Sequence, residues 1–320
     1  MANISIIIAT KNCFEKIDSL MLSLFRQDER DIEIICVDDA SNDATLNLLK
    51  HYAEFDKRIQ IIANKKSVGL LECCRIGLKK ATAPYVMFLN GTHHLLLVQA
   101  FLERLLNSAK QNNSDIVYTP SVFVDAETFV AYPLYIFSPQ MFHSVVQKPC
   151  FAGKALHPQL LFMLYLSPYG KLYKTEFIKK MDFSAYDEPF FLDAMLKAER
   201  VSYDLYFLCY RQVQKAELEQ PQVFEKQQEN EQVLRQNGVW DSHKNAFICY
   251  KMNQTLLAIN NARQEQKTAI FAKMKKEFTP ETFGQYDFNV LRKYKIYWLF
   301  QGLADMSYKD FIKSTSNVAR

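Results

Sequence analysis

The sequence predicts an α/β protein: a mostly parallel sheet with helices on both faces, followed by a helical C-terminal region. Three observations lead there. Short continuous apolar runs alternate with helix-spaced segments over the first 119 residues, the pattern of strands buried on both faces between crossover helices. From about 216 onward the chain is rich in Gln, Glu and Lys, with apolar positions three and four apart. Hydrophobic residues make up 49% and charged residues 23% of the 320, enough apolar material for a sizeable core.

Residues 4–9 (ISIIIA) form the first buried strand, and 14–25 follow as a helix with Ile17, Leu20, Leu22 and Leu24 at helical spacing. Residues 32–37 repeat the strand pattern, and Ser41 is placed to cap a helix over 43–54. The alternation continues with strand 58–63, helix 68–80, strand 85–89, helix 95–111 and strand 115–119. Five such repeats with short loops imply a sheet covered on both sides. Ligands of these sheets bind at the carboxyl ends of the strands, here 9–12, 37–41, 64–69 and 90–94. Between 120 and 215 aromatics and prolines interrupt the alternation, and Pro189 marks a helix start with Glu188 as its cap.

Composition excludes several classes. The eight glycines show neither GxGxxG nor GxxxxGK spacing, so neither glycine-built phosphate cradle is present. Seven cysteines without a CxxC pair read as reduced, buried thiols of a cytosolic protein. The adjacent Cys73 and Cys74 read as helix packing rather than a redox pair. The first apolar run is too short for a signal peptide. Residues 128–147 are uncharged but broken by Pro133 and Pro139, which argues against a membrane span. Residues 241–320 hold 13 Lys/Arg against 7 Asp/Glu. That basic tail, with its aromatic stretch at 289–300, could meet an anionic membrane surface, a protein partner or simply the main domain. The expectation is a cytoplasmic protein, peripheral at the inner face of a membrane where the basic tail meets one.

Read together, the strand ends carry a recognisable order of blocks: ISIIIATKN, EIICVDDASNDAT, RIQIIANKKSVGLLECCRIGLKKATAPYVMFLNGTHH, then PYGKLYKTEFIKKMDF and YDEPFF. Over residues 3–211 the chain resembles the inverting family 2 glycosyltransferases of GT-A fold, a Rossmann-like architecture. The resemblance implies a GT-A domain over 1–215, with a nucleotide-sugar half (1–119) and an acceptor half (120–215), and a helical region over 216–320. It implies a nucleotide-sugar donor, expected to be UDP-linked, and a glycan or lipid-linked glycan as acceptor; nucleic acid is not an expected partner.

Carried over residue by residue, the resemblance places Ala9, Thr10, Lys11 and Asn12 along the nucleoside, with Ala9 and Lys11 standing where the family has proline and tyrosine. Asp38 and Asp39 end a buried strand, and Asp39 is the expected acceptor for the uracil imide N–H. The plainer reading is that both acids cap the next helix. In the acceptor half, Asp187 and Glu188 match the family's acid pair, with Glu188 aligned to the base that takes a proton from the acceptor hydroxyl. Simple helix capping is again the alternative. Lys171 falls in the same half, near the acceptor.

The departure is at Asn90–Gly91–Thr92–His93, where the family carries aspartates that bind Mn²⁺ or Mg²⁺. Hard divalent ions favour anionic oxygen ligands, and one charge pair at 4 Å is worth roughly 4 kcal/mol at an effective dielectric near 20. A divalent cofactor is therefore doubtful. His93 remains a candidate ligand for a borderline metal, with helix-start residues at 93 and 94 as the bland reading. Lys11 and Arg75, beside Lys65 and Lys66, are expected to neutralise the diphosphate instead. Two functions stay open: an inverting transferase in polysaccharide or glycoconjugate synthesis, and a non-catalytic partner or scaffold that keeps the fold without the metal.

Overall fold

In the computed structural model the described residues are 1–95, 98–125, 131–132, 149–164, 166–183, 186–204, 209–213, 222–279, 282, 303 and 306–311. They form two compact units, Met1–Val213 and Gln214–Arg320.

The first unit is built on strands β1 (Ile4–Thr10), β2 (Ile32–Asp38), β3 (Ile59–Ala63) and β4 (Tyr85–Asn90). All are parallel, in the order β3-β2-β1-β4. Every residue of β1 and β2 is buried, as strands covered on both faces must be. Alternation within β1 sorts the layers. Ile4, Ile6 and Ile8 join the core made with Ile17, Leu20 and Leu24 of α1 (Phe14–Phe25) and Phe101, Leu102 and Leu105 of α4 (Phe101–Asn112). Ile7 points the other way, onto α3 (Leu70–Leu78), where Gly77 allows close approach: a Cβ there would lie 2.5 Å from Ile7 Cγ2. Helix α2 (Thr45–Phe55) adds Leu49 to the first layer.

Beyond β4 the sheet is mixed. Strand β10 (Leu172–Lys174) lies antiparallel between β4 and β6 (Ile116–Tyr118), then β11 (Val201–Tyr203) and β9 (Cys150–Phe151) complete eight strands. Short helices α5 (Pro158–Met163) and α6 (Thr175–Ile178) precede α7 (Asp187–Lys197). A second sheet has the order β5 (His93–Leu95), β12 (Cys209–Val213), β7 (Ser121–Asp125), β8 (Ala131–Tyr132).

Three local expectations are corrected. Residues 93–95 are a strand, not the opening of a helix, because they pair with 209–211 far along the chain; the helix starts only at Phe101. The helix after β2 begins at Thr45 with Ala44 as its N-cap, since Ser41 is drawn to Asp38 instead. Helix α7 has Tyr186 as N-cap and Asp187 and Glu188 in its first turn. Pro189 is thus the third helical residue, tolerated because first-turn N–H groups have no helical acceptor.

The second unit contains α8 (Val223–Gln236), α9 (Trp240–Asn261) and α10 (Gln264–Glu277), packed around Phe224, Ile248, Met252, Phe271, Met274 and Phe278. Ion pairs Lys251–Glu277 and Lys273–Glu225 cross between its helices. No helix among the described residues is long and apolar enough to cross a membrane. The stretch 289–300 and residues 133–148 lie outside the described residues.

Candidate active site

The loops after β1, β2 and β3 are knitted by side chains. Asn12 donates its backbone N–H to Ser41 Oγ (3.0 Å) and accepts from Asn42 N at Oδ1 (2.9 Å). Asp38 accepts from Ser41 N (3.0 Å) and Ser41 Oγ (2.5 Å), with a longer bond of 3.4 Å from Thr10 Oγ1. Helix α1 has no capping side chain of its own; Thr45 Oγ1 and Asp43 Oδ2 of the neighbouring loop accept from Cys13 N and Phe14 N. Between these partners Asn12 and Ala40 take left-handed backbone angles, φ 46° and 56°. That region costs an L-residue roughly 1–2 kcal/mol. Ala40→Gly is therefore expected to stabilise the fold by about 0.5–1 kcal/mol after the greater freedom of glycine in the unfolded chain is subtracted, read by chemical denaturation. An unchanged midpoint would show that Ala40 is not strained.

Asp39 is fully buried. Its carboxylate accepts from Ser67 Oγ (2.6 Å), Val68 N (2.6 Å) and Gly69 N (3.1 Å), at the entry to α3. Burial opposes ionisation, but these bonds and one from the Cys73 thiol outweigh it and hold the acid below its ordinary value. A carboxylate has about four acceptor positions, and three loop donors with the Cys73 thiol fill them. The base contact expected of Asp39 is thus not an open carboxylate in this structure. What the residue does visibly is hold the 67–69 loop against the strand ends.

The two cations expected at the diphosphate are engaged elsewhere. Lys11 Nζ donates to Ser67 Oγ (2.5 Å) and lies 3.7 Å from Asp39 Oδ2, bridging the first and third loops. Arg75 grips Glu72 with two nitrogens, one turn apart on α3. Their charge, available as far as the sequence shows, is claimed first by a carboxylate three residues away or under the same loop.

Asn90 ends β4 opposite Ala9, whose carbonyl accepts from Gly91 N (2.8 Å). Asn90 Oδ1 accepts from Thr92 N (3.0 Å) and Thr92 Oγ1 (2.6 Å), closing a turn on itself. Gly91 is required there: a Cβ would lie 2.2 Å from Cys13 Sγ. Gly91→Ala should cost about 1–3 kcal/mol by overpacking, partly recovered by adding Cys13→Ala; a full-strength single variant in a thermal melt would contradict the contact. Among the described residues no group of three His, Cys, Asp or Glu side chains could hold a metal. Two neutral oxygen groups already bonded to each other do not fit the acid-anchored divalent ion of the family pattern. The His93 side chain lies outside what the structure describes.

The second acid centre is the start of α7. Asp187 and Glu188 are both half-buried, in a turn whose dipole favours ionised acids. Tyr169 OH donates to Asp187 Oδ1 at 3.4 Å. Lys171 is fully buried; its ammonium donates to the Tyr169 carbonyl (2.9 Å) and sits over the rings of Tyr118 and Phe191, 5.3 and 5.7 Å from their centroids.

Burial chiefly, with the Asp39 charge added, pushes the Cys73 thiol up to about 12. Burial chiefly, with the Asp187 charge added, pushes Cys74 well up. Both thiols are completely buried, as the packing role read from the sequence requires. Ser67 and Tyr169 were missed as site residues, although both lie inside blocks that carry the resemblance.

The family model for glycosyl transferase family 2 matches residues 5–181. The chain belongs to glycosyl transferase family 2. It is similar to the uncharacterized glycosyltransferase EpsJ of Bacillus subtilis, 32% identical over 211 residues, 62% of this chain and 57% of EpsJ. It is 38% identical over 122 residues to the poly(ribitol-phosphate) beta-N-acetylglucosaminyltransferase TarP of Staphylococcus aureus, 37% of this chain and 36% of TarP. The chain thus spans little more than half the length of the first of these relatives. Among solved structures, S. aureus TarS 1–349 in complex with UDP superposes with a TM-score of 0.63 at 17% identity, covering 95% of this chain and 88% of that one; a TarS complex with UDP-GlcNAc gives 0.62. At that identity the likeness shows the fold, which is GT-A.

Proposed function

We propose that this protein transfers a sugar from a nucleoside diphosphate donor, UDP-linked, to a hydroxyl of a glycan, with inversion, in polysaccharide or glycoconjugate synthesis. The observation that carries the reading is a pair of acid centres: Asp39 holding the 67–69 loop at the strand ends, and Asp187 with Glu188 in the first turn of α7, where the Tyr169 phenol reaches Asp187. One centre shapes the donor crevice at the strand ends, the other supplies a base for the acceptor. Relatives support the donor class, since TarP is named as an N-acetylglucosaminyltransferase and TarS binds UDP and UDP-GlcNAc.

In this mechanism residues 9–12, 38–41 and 64–69 line the nucleoside, with Asp39 orienting the loop that meets the base. Glu188, in the first turn of α7, takes the proton from the acceptor hydroxyl as its oxygen attacks the anomeric carbon. The sugar–phosphate bond breaks on the opposite face, and the electron pair leaves with the diphosphate. Inversion follows from that single in-line displacement. The expected domain division, a donor half over 1–119 and an acceptor half over 120–215, accords with this assignment of roles.

A second reading, a non-catalytic family member, is favoured by one observation: Asn90 and Thr92 stand where metal-binding acids belong, and Lys11 and Arg75 are already engaged. The two are separated by calorimetry with UDP and a turnover screen of nucleotide sugars, each with and without EDTA. Chelation is expected to change UDP affinity by no more than about threefold, under 1 kcal/mol. Loss of binding in EDTA and its return with Mn²⁺ would show a real metal site. UDP binding without turnover of any nucleotide sugar would favour the non-catalytic reading.

A further inference from the structure

The loop 167–171 is fixed at nearly every polar group. Ser167 Oγ accepts from Tyr169 N, Pro168 O accepts from the buried Tyr173 phenol (2.8 Å), and Gly170 N donates to Phe88 O of the central sheet (2.8 Å). Gly170 takes φ 74°, which turns the chain so that Lys171 reaches back to the Tyr169 carbonyl. The same ammonium faces Phe191, which lies one helical turn after Asp187 on α7. A cation placed between aromatic faces away from water interacts strongly with them. The buried lysine therefore sets the spacing between this loop and the helix that carries the acids. From this loop Tyr169 extends to that helix start, where its phenol donates to Asp187.

We propose that Tyr169, held in place by Lys171, is the positioning residue for the acid pair Asp187–Glu188. The inference rests on the transferase reading above. Tyr169 holds the Asp187 carboxylate inward, where its charge also reaches Cys74 and Tyr173. With Asp187 held, the first turn of α7 is fixed, and with it the position from which Glu188 would meet the acceptor hydroxyl. At 3.4 Å the phenol–carboxylate bond is long, as catalytic contacts commonly are before substrate binds.

The test uses the full chain and the variants Tyr169→Phe and Lys171→Met. Tyr169→Phe removes one oxygen and leaves the ring, so folding is retained. With the nucleotide sugar that the unaltered protein turns over, kcat should fall about ten- to a hundredfold while the donor KM stays within about twofold, because misplacing a reacting group by an ångström is costly. Amide exchange at 190–192 should quicken by about threefold or more, with the β1 and β2 amides unchanged; this arm needs no substrate. Lys171→Met should reproduce both effects. Unchanged exchange in Tyr169→Phe overturns the proposal, as does a kcat within twofold of the unaltered protein, or a parallel loss of donor affinity and melting temperature. If Glu188→Gln and Asp187→Asn both keep full turnover, the assignment of the base fails, whatever Tyr169→Phe does. If they abolish turnover and Tyr169→Phe is silent, only the positioning role fails.

Discussion

Glu188→Gln is expected to abolish most transfer activity, lowering kcat by roughly 10²–10⁴-fold, the usual contribution of a general base. That loss corresponds to about 2.7–5.5 kcal/mol of transition-state stabilisation. The amide keeps the size of the side chain and cannot take a proton. Helix α7 still has Tyr186 as its N-cap and Asp187 in its first turn, so the fold and UDP affinity should survive. The measurement is single-turnover transfer from UDP-GlcNAc, or whichever donor the screen identifies, beside UDP calorimetry. Retained turnover in Glu188→Gln with loss in Asp187→Asn would move the base one residue back along the helix. Retained turnover in both would remove the acid pair from the chemistry.

Asp39→Asn should damage both stability and donor binding. The carboxylate accepts from two backbone amides and a hydroxyl in the interior. An asparagine nitrogen would face those donors with donors of its own. A buried group left unsatisfied costs about 1–3 kcal/mol, so a loss of about 1–3 kcal/mol in a denaturant titration is expected. Release of the 67–69 loop should weaken UDP by about 1.5–3 kcal/mol, the range for hydrogen bonds to a charged group. The pH dependence follows from the same bonds. Despite the opposing effect of burial, Asp39 is held below its ordinary value of 3.8. Its contribution to stability is thus complete above the unfolded pKa and is lost as pH falls through the lower folded one. The asparagine variant should lack that part of the acid limb. Unchanged UDP affinity in a folded Asp39→Asn protein would remove this loop from the donor site.

How much of this was legible beforehand depends on the range of the interactions involved. The strands read at 4–9, 32–37 and 85–89 announce themselves by largely apolar runs, since both their faces are covered, and the structure extends each by one polar residue. The Asp38–Asp39 pair is readable as a site because acids directly after a buried strand must sit at a sheet end. The short strands were not readable. Leu172–Lys174 holds three residues with no period of its own and becomes a strand only by lying between β4 and β6. His93–Leu95 looked like a helix opening because three leucines follow the histidines, and an apolar run of that length fits either state.

The chain by itself determined the α/β class, the family blocks, the absence of carboxylates at 90–92 and the presence of two acid pairs, all properties of residue identity and local period. Only the tertiary structure decided which charges are available. Lys11 and Arg75 count as cations in any sequence reading, yet Ser67 with Asp39 and Glu72 hold them. Asp39 counts as an exposed strand-end acid, yet the loop from 67 to 69 closes over it. Tyr169 becomes a site residue because a buried lysine turns its loop toward Asp187. The physical reason is common to all: hydrogen bonds and ion pairs are satisfied by whatever the fold brings within about 3 Å, and the order of residues along the chain does not specify that neighbour.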